Sequence, residues 1–262
     1  MIRNCLIILG FIAFSSLAFC QDEQLVINLP ASSIPGSLIF ENPKGSIKVT
    51  GYDGKVVLVN CTYRYMEADK NAINGMRRIN QDDLDISAEV NGNEILLLCR
   101  TTGKTVDFDI KVPRDFSMKL KSLDNGNVEV FNVNGVIEVE NTSGDITLEN
   151  ISGSAVLSSV YGTISAVFKS VDTESPMMFT TFEGDINITL PLFSNALLKM
   201  KSEKGEILSD FDIKSAKRQP VVKNIENKKV YSLEDWSVGI INSGGPEYIL
   251  RTYNGNIYIR KK

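Results

Sequence analysis

The chain has 262 residues, a net charge of −4 and no histidine. Its 43 % apolar and 23 % charged residues exclude global disorder, and the mild acidity gives no electrostatic basis for a nucleic-acid partner. Without histidine, Ser-His-Asp and Cys-His catalysis and His-ligated metal sites are excluded together.

From Met1 to Cys20 the chain places Arg3 ahead of the apolar run CLIILGFIAFSSLAF and then turns polar at Gln21. The run is too short for a comfortable membrane span and reads as a signal peptide over residues 1–20, with cleavage near Ala18-Phe19-Cys20. Acylation of Cys20 is the rival reading. Leu17 and Ala18 suit it, while Phe19 stands where a small residue is needed. No second apolar run of spanning length follows, so residues 21–262 are expected to form a single domain without a transmembrane segment.

Residues 21 to about 40 carry Pro30 and Pro35 and read as an edge strand or cap. Gly45-Ser46-Ile47-Lys48-Val49 opens the first clear unit, and VVLVNCTYRY follows as a strand. Residues 64–92 are an excursion. Alternation is lost from Glu67 to Asp83, where Asn74-Gly75 is a turn and Asp82, Asp83 and Asp85 are a solvated run before they are a cation site. Strands resume on either side of Asn91-Gly92, a hairpin dipeptide. TVDFDIKVP then alternates with Val106, Phe108, Ile110 and Val112 on one face.

Residues 123–168 carry the organising pattern. Glycine recurs at Gly126, Gly135, Gly144, Gly153 and Gly162, a step of nine residues. Two and four residues beyond each glycine stand apolar residues, such as Ile146 and Leu148, with Glu, Thr or Ser between them. This is the period of short strands buried on one face, punctuated by glycine turns. A fixed period of this kind predicts an all-β, β-solenoid (β-helix-like) fold. The same turn returns at Gly184, Gly205 and Gly255, each followed two residues on by isoleucine (Ile186, Ile207, Ile257). Their looser spacing sets the expected coil at about 18–22 residues with two turns rather than nine. Asn and Ser ahead of the glycines (Asn125, Asn134, Ser143, Ser152, Asn254) are expected to satisfy local backbone groups. Residues 212–247 break the ladder with Lys214, Lys217, Arg218, Lys223, Lys228 and Lys229 and the only tryptophan, Trp236. The charge run reads as a solvated flap.

Two cysteines remain beyond the leader, Cys61 and Cys99, each on the apolar side of a strand-like run. Buried thiols and one disulfide are both open readings. Asp145 and Asp185 follow glycine in only two units, too few for a calcium spine of nonapeptide type. The outward residues Glu129, Glu138, Thr147, Glu149, Ser165 and Asn187 are dispersed, with no basic residue recurring beside them in the chain. That weighs against a polysaccharide lyase or hydrolase. No glycine-rich turn is followed by Lys-Ser or Lys-Thr to cradle phosphate. Tyr161, Phe182, Tyr253 and Tyr258 are aromatics for covering coil edges or stacking on sugars.

The units GSIKVTGYDG (45–54), VDFDIKVPRDFSMKLKSLDNGNVEV (106–130), FEGDINITLP (182–191), KGEILSDF (204–211) and RTYNGNIYIRKK (251–262) together resemble the DUF4097, or putative-adhesin, family of exported bacterial β-strand repeat proteins. The resemblance spans nearly all of the chain after the leader. It implies a β-helix-like fold and an envelope, surface or secreted location, and carries no site residues. The reading is therefore a non-enzymatic, adhesin-like binding or scaffold protein without cofactor or metal, with a glycan or surface protein as partner. A periplasmic envelope-stress or assembly component is the alternative, and a polysaccharide-active enzyme a more distant one.

Overall fold

The structure, a computed structural model, describes residues 22–30, 35–63, 84–101, 103–215, 221–225, 228–232 and 235–262, with the backbone alone for 22–23 and within 215–234. The leader with Cys20, Asn74-Gly75, Asp82, Asp83, Lys217 and Arg218 lie outside the described residues. Every element there is a strand. In chain order the first are β1 (Asp22–Asn28), β2 (Gly36–Asn42), β3 (Ile47–Tyr52), β4 (Val56–Tyr63), β5 (Ile86–Asn91), β6 (Glu94–Cys99) and β7 (Val106–Pro113). Then come β8 (Phe116–Ser122), β9 (Val128–Phe131), β10 (Asn134–Ser143), β11 (Ile146–Tyr161), β12 (Ile164–Val171), β13 (Met177–Glu183) and β14 (Ile186–Leu190). The last are β15 (Ala196–Ser202), β16 (Ile207–Ser209), β17 (Lys214–Ser215), β18 (Val221–Ile225), β19 (Lys228–Ser232), β20 (Ser237–Ile241), β21 (Glu247–Asn254) and β22 (Ile257–Lys261).

Their pairing resolves into two ladders. The first runs β1-β4-β7-β3-β9-β11-β12-β14-β22-β16, and the second β5-β6-β2-β8-β10-β11-β13-β21-β15-β20-β17. β11 belongs to both: Ile146–Glu149 pair with β9, and Val156–Tyr161 pair with β13. The chain thus passes repeatedly from the second ladder, round a corner, to the first. The result is an all-β, solenoid-like domain. Pairing among each ladder's central strands is parallel, and antiparallel strands close three of the four ladder ends, as where β5 and β6 meet across Asn91-Gly92, while β16 pairs parallel with β22 at the fourth.

The alternating apolar residues build the interior. On the first ladder Ile47, Val128, Ile146, Ile164, Ile186 and Ile257 stand in one register column, each fully buried. On the second, Phe40, Leu120, Val139, Leu157, Phe179 and Leu250 do the same. β-branched and aromatic side chains suit such stacking, and each buried one stabilises by about 1.5–3 kcal/mol.

Chain order and stacking order differ at both ends. The coil from β2 to β3 lies between β6–β7 and β8–β9. The last coil, β21 to β22, lies between β13–β14 and β15–β16. The β2–β3 and β21–β22 coils are therefore hydrogen-bonded along both flanks, whereas β1 pairs with β4 alone. Cys61 lies on β4 opposite Phe108, and Cys99 ends β6 on the other ladder. Both are buried, one on each ladder, and they are not bonded to one another in the structure.

Candidate functional site

Three columns of residues meet at the corner leading from the second ladder to the first. The middle column is glycine. A Cβ at Gly126, Gly144, Gly162, Gly184, Gly255 or Gly205 would fall on the carbonyl oxygen of the stacked glycine in the adjacent coil: Gly45, Gly126, Gly144, Gly162, Gly184 and Gly255 respectively. At Gly144 the backbone also takes φ +123°, so a side chain is refused on two counts. Gly135 and Gly153 sit elsewhere. They lie inside β10 and β11, paired with one another.

Inside the corner, usually three residues before the glycine, runs a column of small polar side chains. Ser122 donates to the Gly45 carbonyl (3.2 Å), Thr181 to Gly162 (3.0 Å), Thr252 to Gly184 (2.9 Å) and Ser202 to Gly255 (2.7 Å). Asn141 Nδ2 serves both Gly126 (2.9 Å) and Gly144 (3.0 Å). Asn42 Nδ2 reaches the Val106 carbonyl (2.9 Å) at the end coil. These bonds satisfy carbonyls that the glycine corner turns inward.

Outside the corner, one residue after the glycine, side-chain oxygens accept from the next coil's backbone. Asn127 Oδ1 accepts from the Asp145 N–H (3.0 Å), Asp145 from Thr163 (2.8 Å), Asp185 from Asn256 (2.7 Å) and Asn256 from Glu206 (2.9 Å). Asp145 and Asp185 therefore act as backbone caps. The opposite corner carries its own pair: Asn132 and Asn150, at φ 58° and 57°, with Asn150 Nδ2 donating to Asn132 Oδ1 at 2.6 Å.

The outer surface of the first ladder is polar and in register. Asp109, Lys48, Glu129, Thr147, Ser165, Asn187 and Tyr258 form one row across successive strands. At its β4–β7 end lies an open groove of about 260 Å³ lined by Thr62, Asp107, Lys48, Asn127 and Glu129. One Asp107 oxygen is engaged, accepting from the Ser46 N–H at 2.8 Å. Among the described residues no cluster of His, Cys, Asp and Glu is arranged to hold a metal ion.

The chain matches the model of the family described as Toastrack DUF4097 over residues 7–259. It belongs to the DUF4097 family. A crystal structure of a "putative cell adhesion protein" from Clostridium sporogenes ATCC 15579 is similar, with a TM-score of 0.47 and 12 % identity, covering 93 % of this chain and 100 % of that one. No curated protein matches.

In this DUF4097 chain the acidic outward residues are not isolated, contrary to their spacing in the sequence. Glu138 receives Lys119 at 2.7 Å from the neighbouring coil, Lys121 lies between Glu41 (3.9 Å) and Glu140 (3.6 Å), and Lys48 stands in register between Asp109 and Glu129. These charged partners across coils are nineteen or more residues apart in the chain, which hides them from a local reading. The Glu138 hydrogen bond and charge raise the Lys119 pKa above its ordinary value. Of the aromatics, Phe182 and Tyr253 stack in parallel, centroids 4.9 Å apart, and Tyr258 accepts from Asn256 Nδ2 at 3.1 Å. The inward Asn, Ser and Thr column was legible as a polar residue three places before a turn glycine. Its signal was masked because such residues also occur at outward positions.

Proposed function

We propose that the protein is an exported, non-enzymatic member of the DUF4097 family, a single domain of coils of about 18–22 residues. Its role is adhesin-like binding or scaffolding at the cell envelope. The apolar leader over residues 1–20 supports export. The observation that carries the binding role is the outer row Glu129, Thr147, Ser165 and Asn187, which repeats polar groups at the strand spacing of about 4.8 Å beside the Thr62–Asp107–Glu129 groove. Evenly spaced hydroxyl, amide and carboxylate groups suit many weak contacts to a glycan or protein surface, summed by multivalency.

The test is binding of the purified protein to glycan and surface-protein arrays, compared with the triple variant T147A/S165A/N187A. A ligand whose retention falls in the variant supports the reading. Absence of any ligand, or identical retention by both proteins, overturns it.

A further inference from the structure

The outer surface of the second ladder changes character along the stack. Toward β2, β8 and β10 its lysines are all paired, in the Lys119–Glu138 and Glu41–Lys121–Glu140 contacts, and glutamate is in excess. Toward β13, β21 and β15 a cation is left unpaired. Arg251 on β21 stands in register directly beside Lys201 on β15, with Thr180 on its other side. Like charges directly opposite one another in a sheet are destabilising. Lys201 is relieved by Glu203 at 2.8 Å, whereas exposed Arg251 makes no ion pair with a described residue. Two residues further along the same outward side of β13 and β21 come Phe182 and Tyr253, 47 % and 41 % exposed, stacked at an interplanar angle of 4°. Lys204 Nζ lies over Tyr253, 4.9 Å from its centroid. Glu183 borders the patch at the corner, and Glu203 is held by Lys201, so the surface stays net cationic in a chain whose overall charge is −4.

We infer that this patch, built from Arg251, Lys201, Lys204, Phe182 and Tyr253, is a binding site for an acidic polysaccharide. An unpaired guanidinium forms bidentate bonds to a carboxylate or sulfate. The stacked rings make a rigid apolar ridge against which the C–H side of a sugar packs without losing rotamer freedom. Tyr253 is covered by Phe182 and Lys204, so the ligand lies along the ridge, its anionic groups reaching the flanking cations. The site is on the opposite ladder from the Thr147 row and stands whether or not that row binds anything.

The experiment is affinity electrophoresis of the full chain through gels holding polygalacturonate, dextran sulfate or neutral dextran. The site predicts retardation by polygalacturonate or dextran sulfate, or by both, and none by dextran; the two acidic gels distinguish carboxylate from sulfate. Retardation should weaken at roughly 0.5 M salt, where screening acts within a few ångströms. Arg251→Glu should reduce it roughly tenfold, with a similar loss in the F182A/Y253A double variant. All these positions are exposed, and an unchanged far-UV spectrum confirms that each variant is folded. Equal migration in acidic and neutral gels, or wild-type retardation of folded Arg251→Glu, overturns the assignment.

Discussion

Asn141 ties two coils together: its Nδ2 donates to the carbonyl of Gly126 in the preceding coil and to that of Gly144 in its own. This explains an irregularity one coil further on. Ser159 occupies the equivalent position, stacked on Asn141, yet its buried Oγ has no partner. The Gly144 carbonyl it would serve is already bonded to Asn141.

The two residues should therefore respond differently to truncation. Asn141→Ala removes two bonds to buried carbonyls and should cost about 1–3 kcal/mol. Ser159→Ala deletes an unsatisfied hydroxyl and should change stability by less than about 0.5 kcal/mol, in either direction. Urea denaturation of both variants decides the matter. Equal losses would show that the inward column is not the support described.

Glycines on and off the corner should separate in the same way. Gly144→Ala places a methyl on the Gly126 carbonyl oxygen and holds an L-residue at φ +123°, and should cost more than about 3 kcal/mol. Gly92→Ala, at φ +59° with open space around it, should cost about 1–2 kcal/mol. The difference in thermal midpoint between the two is the readout.

Tyr248 predicts an alkaline limit to stability. Its fully buried ring lacks a hydroxyl partner, and burial, reinforced by the Asp172 charge, pushes its pKa up to about 12. A phenol with a raised folded pKa favours the native state in its neutral form. Its contribution is complete below pH ~10, the unfolded value, and is lost as pH rises toward the folded value. Tyr248→Phe should be near neutral at pH 7 and should retain more stability than wild type between about pH 10 and 12. Parallel loss in both proteins through that window would contradict this.

Asp145 and Asp185 should behave as caps and not as calcium ligands. Asp145→Ala should lower stability by about 1 kcal/mol through the lost bond from the Thr163 N–H. Millimolar calcium or EDTA should leave the thermal midpoint of the wild type unchanged. A calcium-dependent rise abolished by Asp145→Ala would reverse the assignment.

Much of the architecture was legible because it is local. Gly144, Ile146 and Leu148 spell a turn and a half-buried strand within five residues, and the structure stacks Ile146 between Val128 and Ile164. What escaped is set by pairing between coils. Nothing near Arg251 in the chain shows that it lies against Lys201, and nothing near Glu138 shows Lys119. The inserted end coils were hidden for the same reason. Gly184 and Gly255 are separated in the sequence by the Gly205 turn and a long interruption, whereas a shared hydrophobic column and the Asp185–Asn256 bond make them immediate neighbours.

The most direct test of the proposed role is protease accessibility of the protein on intact source cells, with lysed cells as control. An adhesin-like envelope protein should be digested while the cells remain whole. Protection until lysis would contradict that account and place the binding surfaces behind the outer boundary of the cell.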